Sequence, residues 1–322
     1  MTFEILSTSP TFGYYALEPV EYLQNHDCKI ELVPQNKKIS EAELIGKIAR
    51  YDAMIVGIET ITDKAIQAAQ RLKIIAKHGA GVDNIDVAAA TGKGIALMSA
   101  PGANSDAVAD LTVGLFLALA REISSADRSV RGGDWPRIVG TQFNGKVLGI
   151  IGLGQIGKKV ARRAQGFDMK ILTYDVAKDE AFAREWGIDY VTLDEVLRKS
   201  DFVSIHIPLG PSTRRMIGQR ELSLMKREAF LVNISRGDIV DEKALYCALK
   251  ESAIRGAALD VFQHEPPEGS PLFMMDNVIA TPHMGAYTME ALRDTGMICA
   301  RGIVETLQGR RPQNVINQEV FK

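Results

Sequence analysis

Residues 146–157 read Lys146-Val147-Leu148-Gly149-Ile150-Ile151-Gly152-Leu153-Gly154-Gln155-Ile156-Gly157, and this stretch decides the fold. An apolar run, KVLGII, leads directly into a Gly-x-Gly-x-x-Gly turn, and a helical pattern, KKVARRAQGF, follows. Each glycine has a physical reason. Gly152 permits the tight turn, Gly154 lets backbone approach a pyrophosphate, and Gly157 lets helix and strand pack closely. The helix start then offers unpaired N–H groups and a positive dipole end to phosphate oxygens. Glycine-rich turns are common, so specificity comes from the context: a second apolar strand, Lys170–Tyr174, ends in Asp175, about 20 residues beyond the turn. On its own Asp175 is an ordinary strand-end residue. In this pattern its carboxylate accepts hydrogen bonds from the ribose hydroxyls of a dinucleotide and repels a 2′-phosphate. The prediction is NAD over NADP, with Lys178 near enough to soften the preference.

Apolar runs and helical patterns alternate along the rest of the chain. Runs at 3–6, 29–33, 53–56, 74–76 and 95–98 make one series. Runs at 147–152, 170–174, 202–207, 230–234, 257–261 and 278–281 make a second. Most are continuously apolar, as strands are when both faces of a parallel sheet are covered by helices. Such alternation predicts an α/β fold. A long apolar helix is predicted over 105–123, after Pro101-Gly102, with Asn104 able to cap it. Apolar on nearly every side, it is either a plain core helix or one that bridges domains and packs on a second subunit. The stretch RGGDWPR at 131–137 reads as a loop.

Bulk numbers bound the function. At roughly 100–200 residues per domain, 322 residues make about two domains. A chain with 46% apolar residues, 24% charged residues and a net charge of −2 has a globular composition and no positive field for a polyanion, so no nucleic acid partner is expected. Cys28, Cys247 and Cys299 lie far apart, without disulfide-framework or metal-ligand spacing, so no metal is expected. The opening MTFEILSTSPTF lacks the basic and apolar regions of a leader, and the most apolar run, 111–120, is too short to span a bilayer. No membrane partner is expected, and the chain reads as cytoplasmic.

Three segments of the second series set ionisable groups just after strands, where doubly wound sheets open their ligand crevice. They are Asn233-Ile234-Ser235-Arg236-Gly237, Asp260-Val261-Phe262-Gln263-His264-Glu265-Pro266 and Thr281-Pro282-His283-Met284-Gly285-Ala286. Singly, Arg236 reads as a surface arginine, Glu265 as a loop acid and His283 as a half-buried histidine. Together they supply what hydride transfer at a carbonyl needs. Arg236 holds a carboxylate or carbonyl in its planar fork. His283 exchanges a proton with the carbonyl oxygen. Glu265 accepts from the other ring nitrogen and fixes the tautomer.

With GAGVDNID at 79–86, GLGQIG at 152–157, SIHIPLGPSTRRMIG at 204–218, NISRG at 233–237, ALDVFQHEP at 258–266 and NVIATPHMGA at 277–286, the chain resembles the D-isomer-specific 2-hydroxyacid dehydrogenases over nearly its whole length. The resemblance implies an α/β fold of two doubly wound parallel-sheet domains. A flavodoxin-like substrate domain takes residues 1–98 and 288–322, and a Rossmann cofactor domain takes 99–287. Crossings fall near Ser99 and Tyr287, and a helix over 289–308 returns to the first domain.

The resemblance also implies that Arg236, Glu265 and His283 are the catalytic residues. It gives substrate binding to Lys77, His78 and the backbone amides of Gly79, Ala80 and Gly81, which form an anion nest. For NAD it implies Gly152, Gly154, Gln155, Ile156, Gly157, Asp175, His206, Pro208, Ile234, Asp260 and Gly285. Among these, Asp260 meets the nicotinamide carboxamide, while His206 and Pro208 line the adenine side. Gln155 stands where the family commonly has arginine. The implied partners are a small anionic 2-oxo or 2-hydroxy acid and a second copy in a homodimer. 3-Phosphoglycerate is the first expectation for the acid, and glyoxylate or hydroxypyruvate the alternative. A branch of the family uses the fold as a non-catalytic NAD-sensing binding protein; the intact trio favours an enzyme.

Overall fold

The computed structural model describes residues 2–322. The chain forms two compact units, one from residues up to Asn104 together with Ala286–Lys322, the other from Ser105–Gly285. The crossings therefore lie a few residues from Ser99 and Tyr287.

In the first unit, β1 (Phe3–Ser7), β2 (Cys28–Leu32), β3 (Ala53–Val56), β4 (Ile74–Lys77) and β5 (Ala96–Met98) make a parallel sheet of order β2-β1-β3-β4-β5. All residues of β3 and β4 are buried, which explains their unbroken apolar sequence. Helices cover both faces, and their starts are written in the sequence. Ser40 and Glu43 form a reciprocal capping box at Glu41–Ile48, and Thr288 accepts from Ala291 N–H at the head of Met289–Leu307. That last helix buries Cys299, Ala300, Ile303 and Val304 in one core layer with Ile74, Ala76 and Met98. Beyond it the chain pairs with β5. Asn317 Oδ1 accepts from Leu97 N–H at 2.7 Å, and its Nδ2 donates to Ile95 O at 2.9 Å.

In the second unit, β6 (Val147–Ile151), β7 (Lys170–Tyr174), β8 (Ile188–Tyr190), β9 (Phe202–Ile205), β10 (Phe230–Asn233), β11 (Gly256–Leu259) and β12 (Val278–Ala280) make a parallel sheet of order β12-β11-β10-β9-β6-β7-β8. One face carries an aromatic cluster: Phe116, Phe143 and Phe230 surround Phe202, which is fully buried. Burying one such ring contributes up to about 3 kcal/mol.

Three features depart from the sequence reading. Edge strand β8 had no apolar run to announce it; only Ile188 of its three residues is buried. The helix predicted over 105–123 ends at Ala120. A second helix, Ile123–Arg131, begins after Glu122 turns left-handed (φ 52°). The apolar face stops with it, because no residue of that second helix is buried. Predicted strands that ran on to Gly152, Ile234 and Val261 end before these residues, which belong to the loops of the candidate site.

Candidate active site

The seven-stranded sheet reverses its winding between β6 and β9, and a crevice opens at the carboxyl ends of strands flanking such a reversal. The glycine turn leaves β6 there. Gly152 has φ 99°, and a Cβ on it would lie 2.7 Å from His206 O, so only glycine lets the turn pass the end of β9. A Cβ on Gly157 would lie 2.1 Å from Gly152 O, the close helix–strand contact the motif predicts. Gly154 instead faces open space: a Cβ added to it would meet nothing within 4 Å.

Gly154 is the N-cap of the helix Gln155–Gln165 and gives it no side-chain cap. Gln155 is exposed and Ile156 half-buried, so their first-turn N–H groups are offered outward. Asp175, just past β7, is held at the turn: Oδ2 accepts from Leu153 N–H at 2.7 Å and Oδ1 from Ala177 N–H at 2.9 Å. An open glycine, unpaired helix-start amides and an adjacent carboxylate fit the pyrophosphate and ribose of a dinucleotide.

His206 follows β9 with both ring nitrogens buried and without a hydrogen-bond partner among the described residues. Burial pushes its pKa down to about 3, so the ring is neutral. Pro208 is exposed. Ile234, past β10, is buried, with Cγ1 3.2 Å from where a Cβ on Gly285 would sit.

The ionisable trio stands on three loops after β10, β11 and β12. Buried Asn233 shapes the first loop: Oδ1 accepts from Ser235 N–H (3.1 Å) and Oγ–H (2.9 Å), and Nδ2 donates to Arg236 O (2.8 Å). Arg236 Nη1 donates to Ser235 O at 2.8 Å. Gly237 presses on the second loop; a Cβ there would lie 1.9 Å from Phe262 C and 2.1 Å from Phe262 O. In that loop Glu265 Oε1 accepts from Phe262 N–H at 3.0 Å, and Oε2 meets His283 Nδ1 at 2.7 Å.

Burial opposes ionisation of Glu265. The His283 hydrogen bond and charge, the Phe262 N–H and the Arg236 charge outweigh it and hold the carboxyl below its usual value. An ionised Glu265 only accepts, so Nδ1 carries the proton and Nε2 is left for other chemistry. His283 itself has φ 52°, a left-handed conformation costly for a non-glycine residue and typical of functional sites. Asp260, 1% exposed, holds this third loop. Its Oδ1 accepts from Thr281 Oγ–H (2.6 Å) and Met284 N–H (2.9 Å), and its Oδ2 accepts from Gly285 N–H (2.8 Å). In this structure Asp260 is the anchor of the His283 loop.

In the first unit, Lys77 ends β4 with a buried side chain. Its Nζ donates to Gly57 O and to Asn84 Oδ1 (3.0 Å). His78 Nδ1 lies 3.1 Å from Ser9 Oγ and 3.2 Å from Thr11 Oγ1, and Nε2 lies 3.4 Å from Leu292 O. Gly79 N–H turns back onto Lys77 O at 2.9 Å. Exposed Ala80 and half-buried Gly81 continue the loop. The sequence reading quoted Asn233, Gly237 and Asn84 within their motifs without giving them a role and did not name Glu59; the contact of Gly237 with Phe262 is not visible in NISRG.

Residues 113–285 match the family model described as D-isomer specific 2-hydroxyacid dehydrogenase, NAD binding domain. A D-3-phosphoglycerate dehydrogenase of Methanocaldococcus jannaschii is 47% identical over 87% of the chain, which spans 54% of that relative's length. A glyoxylate reductase of Korarchaeum cryptofilum is 42% identical over 90% of the chain and 88% of its own. Among solved structures, the TT0316 protein from Thermus thermophilus superposes with a TM-score of 0.90 at 31% identity, over 97% of this chain and 99% of that one.

Proposed function

The chain belongs to the D-isomer specific 2-hydroxyacid dehydrogenase family, and on that premise we propose that it interconverts a D-2-hydroxyacid and its 2-oxo acid with NAD. The observation that carries this reading is the 2.7 Å contact between Glu265 Oε2 and His283 Nδ1, with the Arg236 charge acting on the same carboxylate. When bound, NAD supplies or accepts the hydride at its nicotinamide. Nε2 of His283 takes the C2 hydroxyl proton in oxidation and returns it in reduction. Arg236 holds the carbonyl or carboxylate oxygen, and Glu265 stabilises the imidazolium formed during oxidation. Ala80 and Gly81 N–H groups take the substrate carboxylate.

His283→Asn tests the reading. NADH oxidation with a panel of 2-oxo acids is expected to fall about 10²–10⁴-fold while NADH still binds; unchanged turnover refutes the assigned role.

The same reading includes a second copy as partner and the cytoplasm as its place of action. On the mostly polar helix Ile123–Arg131, Ile123 and Val130 are exposed, and Trp135 (87% exposed) and Val139 (82%) follow it, apolar side chains suited to a homodimer contact. Light scattering that shows a monomer at micromolar concentration counts against it. No helix among the described residues is long and apolar enough to cross a membrane. Three free thiols, two of them buried, suit a reducing compartment.

A further inference from the structure

The five-stranded sheet also reverses its winding, between β1 and β3. Sheets of this order place ligands at the carboxyl ends of the two flanking strands. Those ends carry Thr8 and Ser9 after β1, and Gly57, Ile58 and Glu59 after β3. The two loops touch: a Cβ on Gly57 would sit 2.9 Å from both Ser9 Cα and Pro10 Cδ. Glu59 folds back over this contact, its Oε2 accepting from Thr8 Oγ–H at 3.1 Å and Gly57 N–H at 3.2 Å.

The neighbouring loop after β4 is tied to it. His78 N–H donates to Val56 O at 2.9 Å. Asn84 Nδ2 donates to Gly57 O (3.2 Å) and Glu59 O (2.5 Å). The Glu59 carboxylate thus stands on a loop bonded directly to the one that carries Ala80 and Gly81.

The charges of this corner are unusual for an enzyme of anionic substrates. The Lys77 ammonium is turned down onto the oxygens of Gly57 and Asn84. His78, half-buried with its ring nitrogens beside Ser9, Thr11 and Leu292 O, is uncharged at neutral pH, desolvation pushing its pKa down to about 4. The half-buried ionisable group where these loops meet is an acid, Glu59, beside a 58%-exposed Ile58.

We propose that Glu59 is a specificity-determining residue: it rejects 2-oxo acids with a second anionic group on C3 and directs the site to small acids with a neutral tail. This inference rests on the dehydrogenase reading above and names its substrate class. A C3 phosphate would bring its charge against a carboxylate at a partly desolvated corner. Like charges so placed cost on the order of 10–100-fold in binding. A hydrogen or a hydroxyl at that position carries no such penalty.

The test is kcat/KM of the purified full chain, followed by NADH absorbance, with glyoxylate, hydroxypyruvate and 3-phosphohydroxypyruvate. It is run on the wild type, Glu59→Gln and Glu59→Lys. The readout is the ratio of hydroxypyruvate to its 3-phosphorylated form within each protein, which cancels any loss of folded enzyme. The wild-type ratio is expected at about 100 or more, falling about tenfold in Glu59→Gln and further in Glu59→Lys. A wild-type ratio near or below one, or a ratio that neither variant moves, overturns the proposal. If the wild type turns over none of the three acids, the dehydrogenase reading fails and takes this inference with it.

Discussion

Gly237→Ala is the most incisive single-atom perturbation the structure offers. The added Cβ would lie 1.9 Å from Phe262 C, whereas ordinary contact begins at 3.4 Å, an overlap of 3.4 − 1.9 = 1.5 Å. The three atoms nearest that Cβ are backbone of residues 262 and 263, so no side chain can swing aside to relieve them. The loops carrying Arg236 and Glu265 must therefore separate by about an ångström or more. Because Phe262 N–H anchors Glu265, the shift passes directly to the partner of His283.

A misplacement of about 1 Å at reacting groups costs about 10²-fold in rate, or about 2.7 kcal/mol of transition-state stabilisation. Overpacking adds about 1–3 kcal/mol of lost stability. The assay is steady-state NADH oxidation with the best 2-oxo acid, at a temperature where far-UV circular dichroism shows the variant folded. Folded Gly237→Ala with kcat/KM within about threefold of wild type refutes the claim that this contact sets the distance between the two loops.

Three further outcomes are expected. Glu265 has its carboxyl held below the usual value, so its contribution to stability is full above the unfolded-state pKa and is lost as pH falls through the folded one; Glu265→Gln is expected to lose less stability than wild type between pH 5 and pH 3, measured by urea titration at each pH. His206 is neutral with its pKa down near 3, so the unfolded chain binds the extra proton first, below about pH 6.5. Stability therefore falls on acidification from there toward pH 3, and His206→Leu is expected to flatten that fall; an unchanged slope contradicts the burial argument. Asp175→Ala removes the acceptor beside the glycine turn and its bonds to Leu153 and Ala177, so NADH affinity by fluorescence titration is expected to drop about tenfold or more while NADPH loses less. Equal losses for both cofactors would show that Asp175 shapes the turn without reading the ribose.

The strands were readable because a parallel sheet covered on both faces demands continuous apolar runs, as β3 and β4 show. Edge strand β8 escaped because it has one neighbour and needs only Ile188 buried. The break at Glu122 carries neither glycine nor proline; only the loss of an apolar face after Ala120 signals it, and the composition of residues 121–123 resembles ordinary helix. At the candidate site, the side chains of Arg236, Glu265 and His283 were legible from their place after strands.

What the sequence did not reveal was which backbone atoms fix them. The Gly237–Phe262 contact joins loops from two different strands, and Asp260 spends both oxygens on the His283 loop. The direction in which Lys77 points was equally hidden, since its acceptor, Gly57 O, lies in the loop after another strand.

Asn317 bonds to Leu97 and Ile95, residues 220 and 222 positions earlier, and so ties the timing of folding to synthesis. The five strands of the first sheet emerge from the ribosome early, but the helix and tail that cover them come last. At about 5–20 residues per second, the interval between residues 104 and 317 is about 10–40 s. During that time β5 offers an unpaired edge and the sheet a bare apolar face, and once Gly285 has been made Ser105–Gly285 has everything it needs to fold while that face is still uncovered. The nascent chain is thus expected to acquire its cofactor-type unit before its substrate-type unit, and chaperones that shield apolar surface have a defined window in which to act.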